Sequence, residues 1–330
     1  YKVIGKLILA ELQKPFKIGN SEAFLGASIG AARYPEDGDT YTELLRKADA
    51  AMYRAKDAGR GRQVDYSRTL GIVIAKRLRL ELDLNRALER NEMSLVYQPQ
   101  YDLRTGQICG GEALLRWNHS TEGQISPDEF IPIAEETNQI LTLGDWVVFT
   151  ACEQLAEWRD RGLGLPRIAI NVSANQLRHS AFLGYVQECI ERFQLSPDMI
   201  ELELTERVFV DSKEVAAAIH KLKQIGVIIS IDDFGTGYSS LGSLRNLEFD
   251  LVKIDRAFVG SLPHDKQSAS IIQAVIAMCQ TLEKQVVAEG VETSLQLQYL
   301  AEAGVEFAQG YYFSKPVSSQ EFEFLVRQAA

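Results

Sequence analysis

The segment Ile228-Ile229-Ser230-Ile231-Asp232-Asp233-Phe234-Gly235-Thr236-Gly237-Tyr238-Ser239-Ser240 starts as a β-branched run and ends in a polar turn. β-Branched residues are typical of strands, so the first half of the segment predicts a buried strand. The adjacent carboxylates of Asp232 and Asp233 have no basic residue beside them, and they repel each other unless a cation lies between them. Asp, Gly and Ser are also ordinary turn residues, so a metal site and a simple turn both remain open here.

The strand-like pattern of this segment recurs from about residue 93 to the end of the chain. Helical stretches such as 145–161, 213–225, 268–282 and 294–303 separate most of the strand-like segments. This alternation predicts a parallel sheet, and eight units predict a closed (β/α)8 TIM-like barrel of the α/β class. The eight strand-like segments are 94–99, 110–117, 167–173, 200–205, 227–232, 251–255, 285–289 and 306–309.

The first connection of the predicted barrel differs from the others. Residues 102–106 form a turn that is too short to hold a crossover helix. Strands joined by a short turn pair antiparallel. One strand of the barrel is therefore expected to be reversed.

The region before the barrel is predicted to contain two parts. Residues 1–66 are expected to form an α+β fragment, with a helix over residues 41–58 whose apolar stripe is typical of core packing. Residues 67–92 are expected to form a linker helix, because good helix formers are dense there. That helix either docks on its own domain or mediates signalling or dimer contacts. The barrel would then occupy residues 93–330.

Composition excludes several classes of protein. The chain has 330 residues, 46% hydrophobic content and a net charge of -10, which disfavours binding of DNA or RNA. No apolar run approaches the roughly 18 residues of a membrane span, and no signal peptide is expected. The four cysteines show no CxxC spacing, so a disulfide framework or zinc site is not expected and a cytoplasmic location fits. Because the sequence begins with Tyr1 rather than Met, we expect a piece of a longer chain.

Charged residues fall on the strand faces that should point into the barrel. Side chains alternate along a strand, so Glu201, Glu203 and Thr205 share one face of the segment 200–205. A barrel interior is normally filled by branched apolar residues, and a buried carboxylate without a partner is costly. The carboxyl ends of the strands carry the active site in barrels of this kind. Further inward-facing polar residues near strand ends are Glu112, Arg116, Asn171, Lys253, Asp255 and Glu289.

These polar residues predict a metal site. Oxygen ligands select Mg²⁺ or Mn²⁺ over zinc or copper, and two such ions ~4 Å apart suit phosphoryl displacement. Lys253 could orient the attacking water or neutralise developing charge, unless it only pairs with Asp255. Arg116 suits a phosphate oxygen, unless it pairs with one of the acids. The candidate ligands are Glu112, Asn171, Glu203, Asp232 and Asp233, with Glu289 as a further candidate.

The order of the motifs resembles an EAL domain, the cyclic di-GMP (c-di-GMP) phosphodiesterase family, over about residues 72–330. The naming motif is Glu112-Ala113-Leu114, continued by Leu115-Arg116-Trp117. The other matching motifs are Tyr97-Gln98-Pro99, Phe130-Ile131-Pro132-Ile133-Ala134-Glu135, Asn171-Val172-Ser173, Glu203-Leu204-Thr205-Glu206, the loop that starts at Asp232, Lys253-Ile254-Asp255, Ala288-Glu289-Gly290-Val291-Glu292-Thr293 and Gln309-Gly310-Tyr311-Tyr312-Phe313. The family fold is a (β/α)8 barrel with one antiparallel strand.

Residues 1–66 resemble the C-terminal half of a GGDEF (diguanylate cyclase) domain. The resemblance rests on Ser28-Ile29-Gly30, Ala48-Asp49-Ala50-Ala51-Met52-Tyr53-Arg54-Ala55-Lys56 and Gly59-Arg60-Gly61-Arg62. The GG[DE]EF signature is absent from this chain. We therefore expect no cyclase activity from this segment as it stands.

The resemblance implies a role for each matching position of the barrel. Asp232 and Asp233 are expected to share or approach the second metal ion, and Asp233 also belongs to the catalytic set. Glu289 is the expected general base, Lys253 positions the hydrolytic water with it, and Glu206 anchors the catalytic loop. The expected ligands of the first metal ion are Glu112, Asn171, Glu203 and Asp232. The expected substrate-binding residues are Gln98, Leu115, Arg116 and Gln309.

The implied activity is metal-dependent hydrolysis of c-di-GMP to linear pGpG in bacterial second-messenger signalling. A receptor that binds c-di-GMP without cleaving it is one alternative, and a protein-interaction module is another. All the implied site positions hold the expected residues, which favours the enzyme. A homodimer formed through the barrel is expected, with no DNA or RNA partner and no membrane contact from this part of the chain, and anchoring of the full-length protein in a membrane through upstream domains stays open.

Overall fold

The computed structural model describes residues 1–19, 21–57, 59–165, 167–209, 213–235 and 248–329. The chain packs as two units, Tyr1–Asp83 and Leu84–Ala330. The domain boundaries predicted after residues 66 and 92 remain predictions. The described part of the chain contains no helix that is long and apolar enough to span a membrane.

The first unit is an α+β fragment, as predicted. Strands β1 and β2 pair antiparallel, whereas β3 and β4 pair parallel. Helix α2 packs directly on β3 at Gly30, where an added Cβ would collide with the carbonyl oxygen of Ala48. The elements are α1 (Lys2–Leu12), β1 (Phe16–Ile18), β2 (Ser21–Ala23), β3 (Ile29–Ala31), α2 (Tyr41–Asp57), β4 (Gln63–Asp65) and α3 (Arg68–Leu84). Residue 58, the predicted end of the second helix, lies outside the described residues.

The connecting helix is shorter than predicted. Helix α3 ends at Leu84, and turns occupy residues 85–91. The turns close where the N–H of Glu92 donates to the carbonyl oxygen of Ala87 at 2.9 Å, after Asn91 at φ +54°. Asn competes with helix through local hydrogen bonds and tolerates positive φ. The extension of this helix to residue 92 was therefore wrong.

The second unit contains the barrel and its surrounding helices. Its strands are β5 (Met93–Asp102), β6 (Ile108–His119), β7 (Gly123–Ile125), β8 (Ile168–Asn171), β9 (Ile200–Thr205), β10 (Ile228–Phe234), β11 (Leu251–Ile254), β12 (Gln285–Ala288) and β13 (Phe307–Ala308). Its helices are α4 (Pro127–Glu136), α5 (Gln139–Asp160), α6 (Ala174–Arg178), α7 (Phe182–Arg192), α8 (Lys213–Ile225), α9 (Arg256–Val259), α10 (Lys266–Thr281), α11 (Ser294–Ala303) and α12 (Ser319–Ala329).

Eight of these strands close into a barrel. The order is β5-β13-β12-β11-β10-β9-β8-β6, and pairing of β5 with β6 completes the ring. β5 runs antiparallel to both β6 and β13, whereas the pairs from β6 through β8 to β13 are parallel. Short β7 extends the sheet beyond β6. The predicted barrel and its reversed strand are both confirmed.

The barrel wall is apolar on the outside and carries several polar residues on the inside. Helices pack on the outer face through a shared core of Ile, Val, Leu and aromatic side chains. The inner face holds buried polar residues, among them Gln100, Glu201, Glu203, Ser230 and Lys253. Glu201 lies at the start of β9 and meets an arginine, with 2.8 Å between its Oε2 and Nε of Arg167. The acids that lie nearer the carboxyl ends of the strands form the candidate site.

Candidate active site

The barrel collects the predicted site residues at the carboxyl ends of separate strands. Register fixes the level of each side chain: Asn171 on β8 lies opposite Glu203 on β9, and Asp232 on β10 lies opposite Thr205. Glu112 lies on β6 and Lys253 on β11. Residues that directly follow a strand are Glu206 after β9, Glu289 after β12 and Gln309 after β13.

Lys253 lies at the centre of this group and is fully buried. Its Nζ is 2.6 Å from Oε1 of Glu203 and 2.5 Å from Oε1 of Glu289. Oε2 of Glu112 lies at 3.4 Å and Oδ1 of Asp232 at 3.8 Å. One ammonium group therefore faces four carboxylates.

The alternative that Lys253 pairs only with Asp255 is thereby excluded. Asp255 instead caps α9, because its Oδ1 accepts the N–H of Ala257 at 2.9 Å.

Glu112 is also held by two side-chain amides. Asn171 Nδ2 donates to its Oε1 at 2.7 Å, and Gln309 Nε2 donates to its Oε2 at 2.7 Å. The same Gln309 nitrogen donates to Oε1 of Gln98 at 3.0 Å, and Nε2 of Gln98 donates to the carbonyl oxygen of Ser314 at 3.0 Å. Gln98 and Gln309 thus contact each other, and Gln309 also contacts a carboxylate. Their substrate-binding roles stay predictions.

Burial and crowding shift the acidity of these groups in the protein alone. Burial raises the pKa of Glu203 well above its usual value, and the Glu112 carboxylate raises it further. Burial likewise raises the pKa of Glu289 to about 8, although Lys253 acts in the opposite direction. Burial lowers the pKa of Lys253, but its carboxylate neighbours, Asp232 foremost, outweigh burial and raise it well above its usual value. The cluster therefore holds more acid than its one lysine neutralises.

The two adjacent aspartates lie near the end of β10, and the backbone of Asp233 is strained there. Asp233 has φ +54°, in the left-handed region, and its N–H donates to Oδ1 of Asp232 at 2.9 Å. The pairing of β10 with β11 shifts register between Ile231 and Phe234. Burial, followed by the charges of Asp232 and Asp255, raises the pKa of Asp233 to about 6. Non-glycine residues rarely adopt this backbone, and such strain is concentrated at functional sites. The rest of the predicted catalytic loop, 236–240, lies outside the described residues.

Glu206 contacts the residue that directly follows β10, the strand that carries the two aspartates. Its Oε2 accepts the N–H of Gly235 at 3.0 Å, and the residue is nearly buried. Gly235 itself has φ +94°, which glycine adopts without cost. The hydrogen bond links the end of β9 to the turn after β10.

We expect Glu206→Ala to lower turnover more than metal affinity. The variant loses a charge-assisted hydrogen bond, worth roughly 10–100-fold in rate if the loop must be held in place. Initial rates and Mn²⁺ titrations of the variant, with Glu203→Ala beside it, measure the two effects separately. Equal loss of Mn²⁺ binding in both variants would show that Glu206 is a ligand rather than an anchor.

A cavity of about 670 Å³ opens beside the acidic cluster. This volume is within the usual range for small-molecule sites. Arg116 lies on its wall, and Nη1 donates to the carbonyl oxygen of Leu115 at 2.9 Å. The predicted site residues that line the cavity are Leu115, Arg116, Asn171, Glu203, Glu206 and Asp233.

The sequence prediction assigned no role to other residues of this cavity wall. Ile131 and Glu135 line it from α4, and Ser173 and Gln176 line it from the region of α6. Burial raises the pKa of Glu135. The motif of residues 130–135 was recognised, but helix α4, which contains Pro132, was not predicted, so its position over the site was missed.

The donor set fits a hard divalent cation in its chemistry. It consists of carboxylate and amide oxygens, and the proposed ligands include no His or Cys, which are typical of zinc sites. Neither buried oxygen of Glu203 accepts a hydrogen bond of normal geometry within the described chain, although Lys253 lies close to one of them. As it stands, no group of three or more His, Cys, Asp or Glu in the described ranges is spaced to hold a metal ion. Metal binding would require the side chains around Lys253 to rearrange.

The closed barrel with one reversed strand defines a (β/α)8 protein. Its acidic cluster lies at the carboxyl ends of the strands, where barrels of this kind carry their active sites. The chain belongs to the EAL domain family, whose model matches residues 81–316. The model of the diguanylate cyclase GGDEF domain matches residues 2–62, so both resemblances found in the sequence are confirmed.

Individual relatives support this membership. The bifunctional diguanylate cyclase/cyclic di-GMP phosphodiesterase MucR of Pseudomonas aeruginosa is 40% identical over 319 residues, covering 96% of this chain and 47% of that protein. The cyclic di-GMP phosphodiesterase PdeR of Escherichia coli is 37% identical over 323 residues, covering 98% and 49%. A solved structure of the PaMucR phosphodiesterase in complex with c-di-GMP matches with TM-score 0.71 at 40% identity, covering 74% of this chain and 99% of that one. The chain spans about half the length of these curated relatives.

Proposed function

We propose that this chain is a metal-dependent phosphodiesterase that hydrolyses c-di-GMP to linear pGpG. The observation that carries the proposal is the cluster of four carboxylates around the buried Lys253. Membership of the EAL family supports it, and so does the activity in the names of MucR and PdeR. The substrate is proposed from those names and from the c-di-GMP complex of the PaMucR phosphodiesterase.

Mg²⁺ or Mn²⁺, with two ions in the site, would supply Lewis-acid polarisation of the phosphodiester and a more acidic water. The residues that would hold these ions are Glu112, Asn171, Glu203, Asp232 and Asp233. Their oxygens come from four different strands of the barrel, β6, β8, β9 and β10.

The remaining site residues would act on the water and the phosphate. Glu289 lies 2.5 Å from Lys253, so the ammonium group can hold the carboxylate oriented while Glu289 accepts the proton of the water. Lys253 would also neutralise charge that develops in the transition state. Arg116, on the cavity wall beside Leu115, would donate to a phosphate oxygen. Gln98 and Gln309, which are hydrogen-bonded to each other beside Glu112, would also bind substrate.

A receptor that binds c-di-GMP without cleaving it is the second candidate. The cavity beside the cluster supports binding in either case. A binding protein has no need for a buried lysine among four carboxylates, an arrangement that costs desolvation free energy. This cost is understandable where the charges are used in chemistry, so the enzyme is favoured.

Two further properties are part of the proposal. We propose that the protein functions in the cytoplasm, where its substrate would be a bacterial second messenger, and that it forms a homodimer through the barrel. Sedimentation analysis of the protein with and without c-di-GMP measures the oligomeric state.

The decisive experiment combines turnover and binding. Purified protein is incubated with c-di-GMP and Mg²⁺ while pGpG is quantified, and affinity is measured in parallel by calorimetry in Ca²⁺. Formation of pGpG supports the enzyme. Binding without turnover in Mg²⁺ and in Mn²⁺ would favour the receptor, and neither binding nor turnover would leave the protein-interaction module.

A further inference from the structure

Asn171 is the one uncharged residue among the proposed metal ligands. Its Nδ2 donates to Glu112 at 2.7 Å, which directs the amide oxygen away from that carboxylate. Asn171 is exposed and ends the four-residue strand β8, so packing does not fix its side chain. Its position is set by this hydrogen bond, by the pairing of its backbone with Glu203 on β9, and by the backbone of the turn that follows.

That backbone is fixed by a reciprocal cap at Ser173, two residues after Asn171. Oε1 of Gln176 accepts both the N–H of Ser173 at 3.0 Å and its hydroxyl at 2.9 Å. Ser173 Oγ in turn accepts the N–H of Gln176 at 3.3 Å. Such capping boxes define the start of a helix, here α6. The box lies two residues beyond the end of β8, so it fixes the backbone where the strand leads into α6.

Gln176 is in turn fixed by helix α5. It is only 2% exposed, and its amide nitrogen lies against Gly144, where an added Cβ would collide with Nε2. A side chain larger than that of glycine at position 144 would therefore displace the Gln176 amide. Asn175 adds a second tie, since its Nδ2 donates to the carbonyl oxygen of Glu135 on α4 at 3.1 Å. The turn that follows Asn171 is thus attached to two long helices outside the barrel.

We propose that Gln176 is a positioning residue for Asn171 and that it sets metal affinity without touching the metal. The chain of contacts runs from Gly144 through Gln176 to Ser173, and the backbone of Val172 connects Ser173 to Asn171. This inference rests on the proposed metal-dependent function. Partners that orient a metal ligand typically contribute about 10–100-fold to metal affinity.

The chain contains a matched control for this cap. Before α12, Oε2 of Glu321 accepts the N–H of Ser318 at 3.1 Å and its hydroxyl at 2.9 Å. The N–H of Glu321 donates to Ser318 Oγ at 3.3 Å, as in the first box. No proposed metal ligand adjoins this second box. Removing Glu321 therefore removes the same hydrogen bonds without the connection to Asn171.

The experiment measures Mn²⁺ binding by calorimetry, with no substrate present. Gln176→Ala is expected to weaken Mn²⁺ binding by about 10–100-fold. Glu321→Ala is expected to bind Mn²⁺ as the unchanged protein does, although its cap is equally lost. Gln176→Glu keeps the two accepting contacts and is the usual residue of a capping box, so it should restore affinity. Thermal melting of each variant reports the structural cost of losing a cap.

Gly144→Ala provides a second route to the same result. The added methyl group displaces the amide of Gln176, so Mn²⁺ affinity should fall as in Gln176→Ala. The double variant should be no weaker than either single variant, because both act through the same contact. Additive losses would overturn the proposed chain of contacts. Mn²⁺ affinity of Gln176→Ala equal to that of Glu321→Ala would overturn the positioning role itself.

Failure of the proposed function gives a different result. If the unchanged protein binds no Mn²⁺, the metal-dependent function is wrong, and this inference fails with it. If the unchanged protein binds Mn²⁺ and hydrolyses c-di-GMP while Gln176→Ala does both equally well, only the inference is wrong.

Discussion

Treatment with EDTA is expected to reduce hydrolysis of c-di-GMP to background, and added Mg²⁺ or Mn²⁺ is expected to restore it. The physical reason is the charge of the cluster, in which Lys253 alone faces four carboxylates. Phosphoryl displacement without a cation there would place the phosphate among like charges. Initial rates of pGpG formation, measured against free metal concentration, give the size of the effect.

Calcium provides the control for metal identity. Ca²⁺ also takes oxygen ligands, but its longer bonds and looser geometry would misplace the reacting oxygens. We therefore expect Ca²⁺ to support binding of c-di-GMP and little turnover. Full activity in EDTA would eliminate a metal-dependent mechanism.

Lys253→Ala is expected to slow hydrolysis at saturating substrate by about 10²–10³-fold with little change in c-di-GMP affinity. The lysine is fully buried, so its contacts are with the acids rather than with solvent. A charge that acts on the water or on the transition state lowers kcat without altering ground-state binding. Single-turnover rates and equilibrium titrations of the variant test both halves of this expectation.

The same variant should also lose stability in a metal-dependent way. Removal of one partner from a buried ion pair costs about 3–5 kcal/mol in free energy of unfolding, because the other partner is left unpaired. Mg²⁺ should therefore raise the free energy of unfolding of Lys253→Ala more than it raises that of the unchanged protein. Lys223→Ala is the matched control, since Lys223 Nζ lies 2.5 Å from Asp250 in a partly exposed pair outside the site.

The kinetic prediction for Lys253→Ala has its own contrary outcome. Loss of c-di-GMP binding with an unchanged rate at saturation would instead make Lys253 a phosphate clamp.

The barrel was predictable because its strands are short β-branched runs separated by helical periods. The segment 200–205 was predicted with the bounds that the structure shows, and so was the helix of residues 213–225. The reversed strand β5 followed from the length of a single turn. These features are determined by residues that are close together in the sequence, so sequence patterns alone predicted them.

The contacts within the site were less predictable because they depend on register between distant strands. Alternation places Glu203 and Lys253 on inward faces, but it cannot say which carboxylates reach the ammonium group. The bond from Gln309 to Gln98 joins residues 211 positions apart. Helix α4 was missed because Pro132 lies inside it. The cap formed by Gln176 was missed because a Ser followed three residues later by a Gln is a general signature of helix starts and does not mark a functional site.

The left-handed backbone of Asp233 bears on how such proteins can diverge. Asn and Gly adopt positive φ more readily than most residues, so Asp→Asn at this position removes a charge and leaves the turn intact. A β-branched residue would add conformational strain at the same position. Asn also keeps an amide oxygen, so the substitution that this backbone tolerates best lowers the charge of a proposed metal ligand without deleting its oxygen. A single mutation at this codon can therefore change the charge of the proposed metal site while the backbone is inherited unchanged.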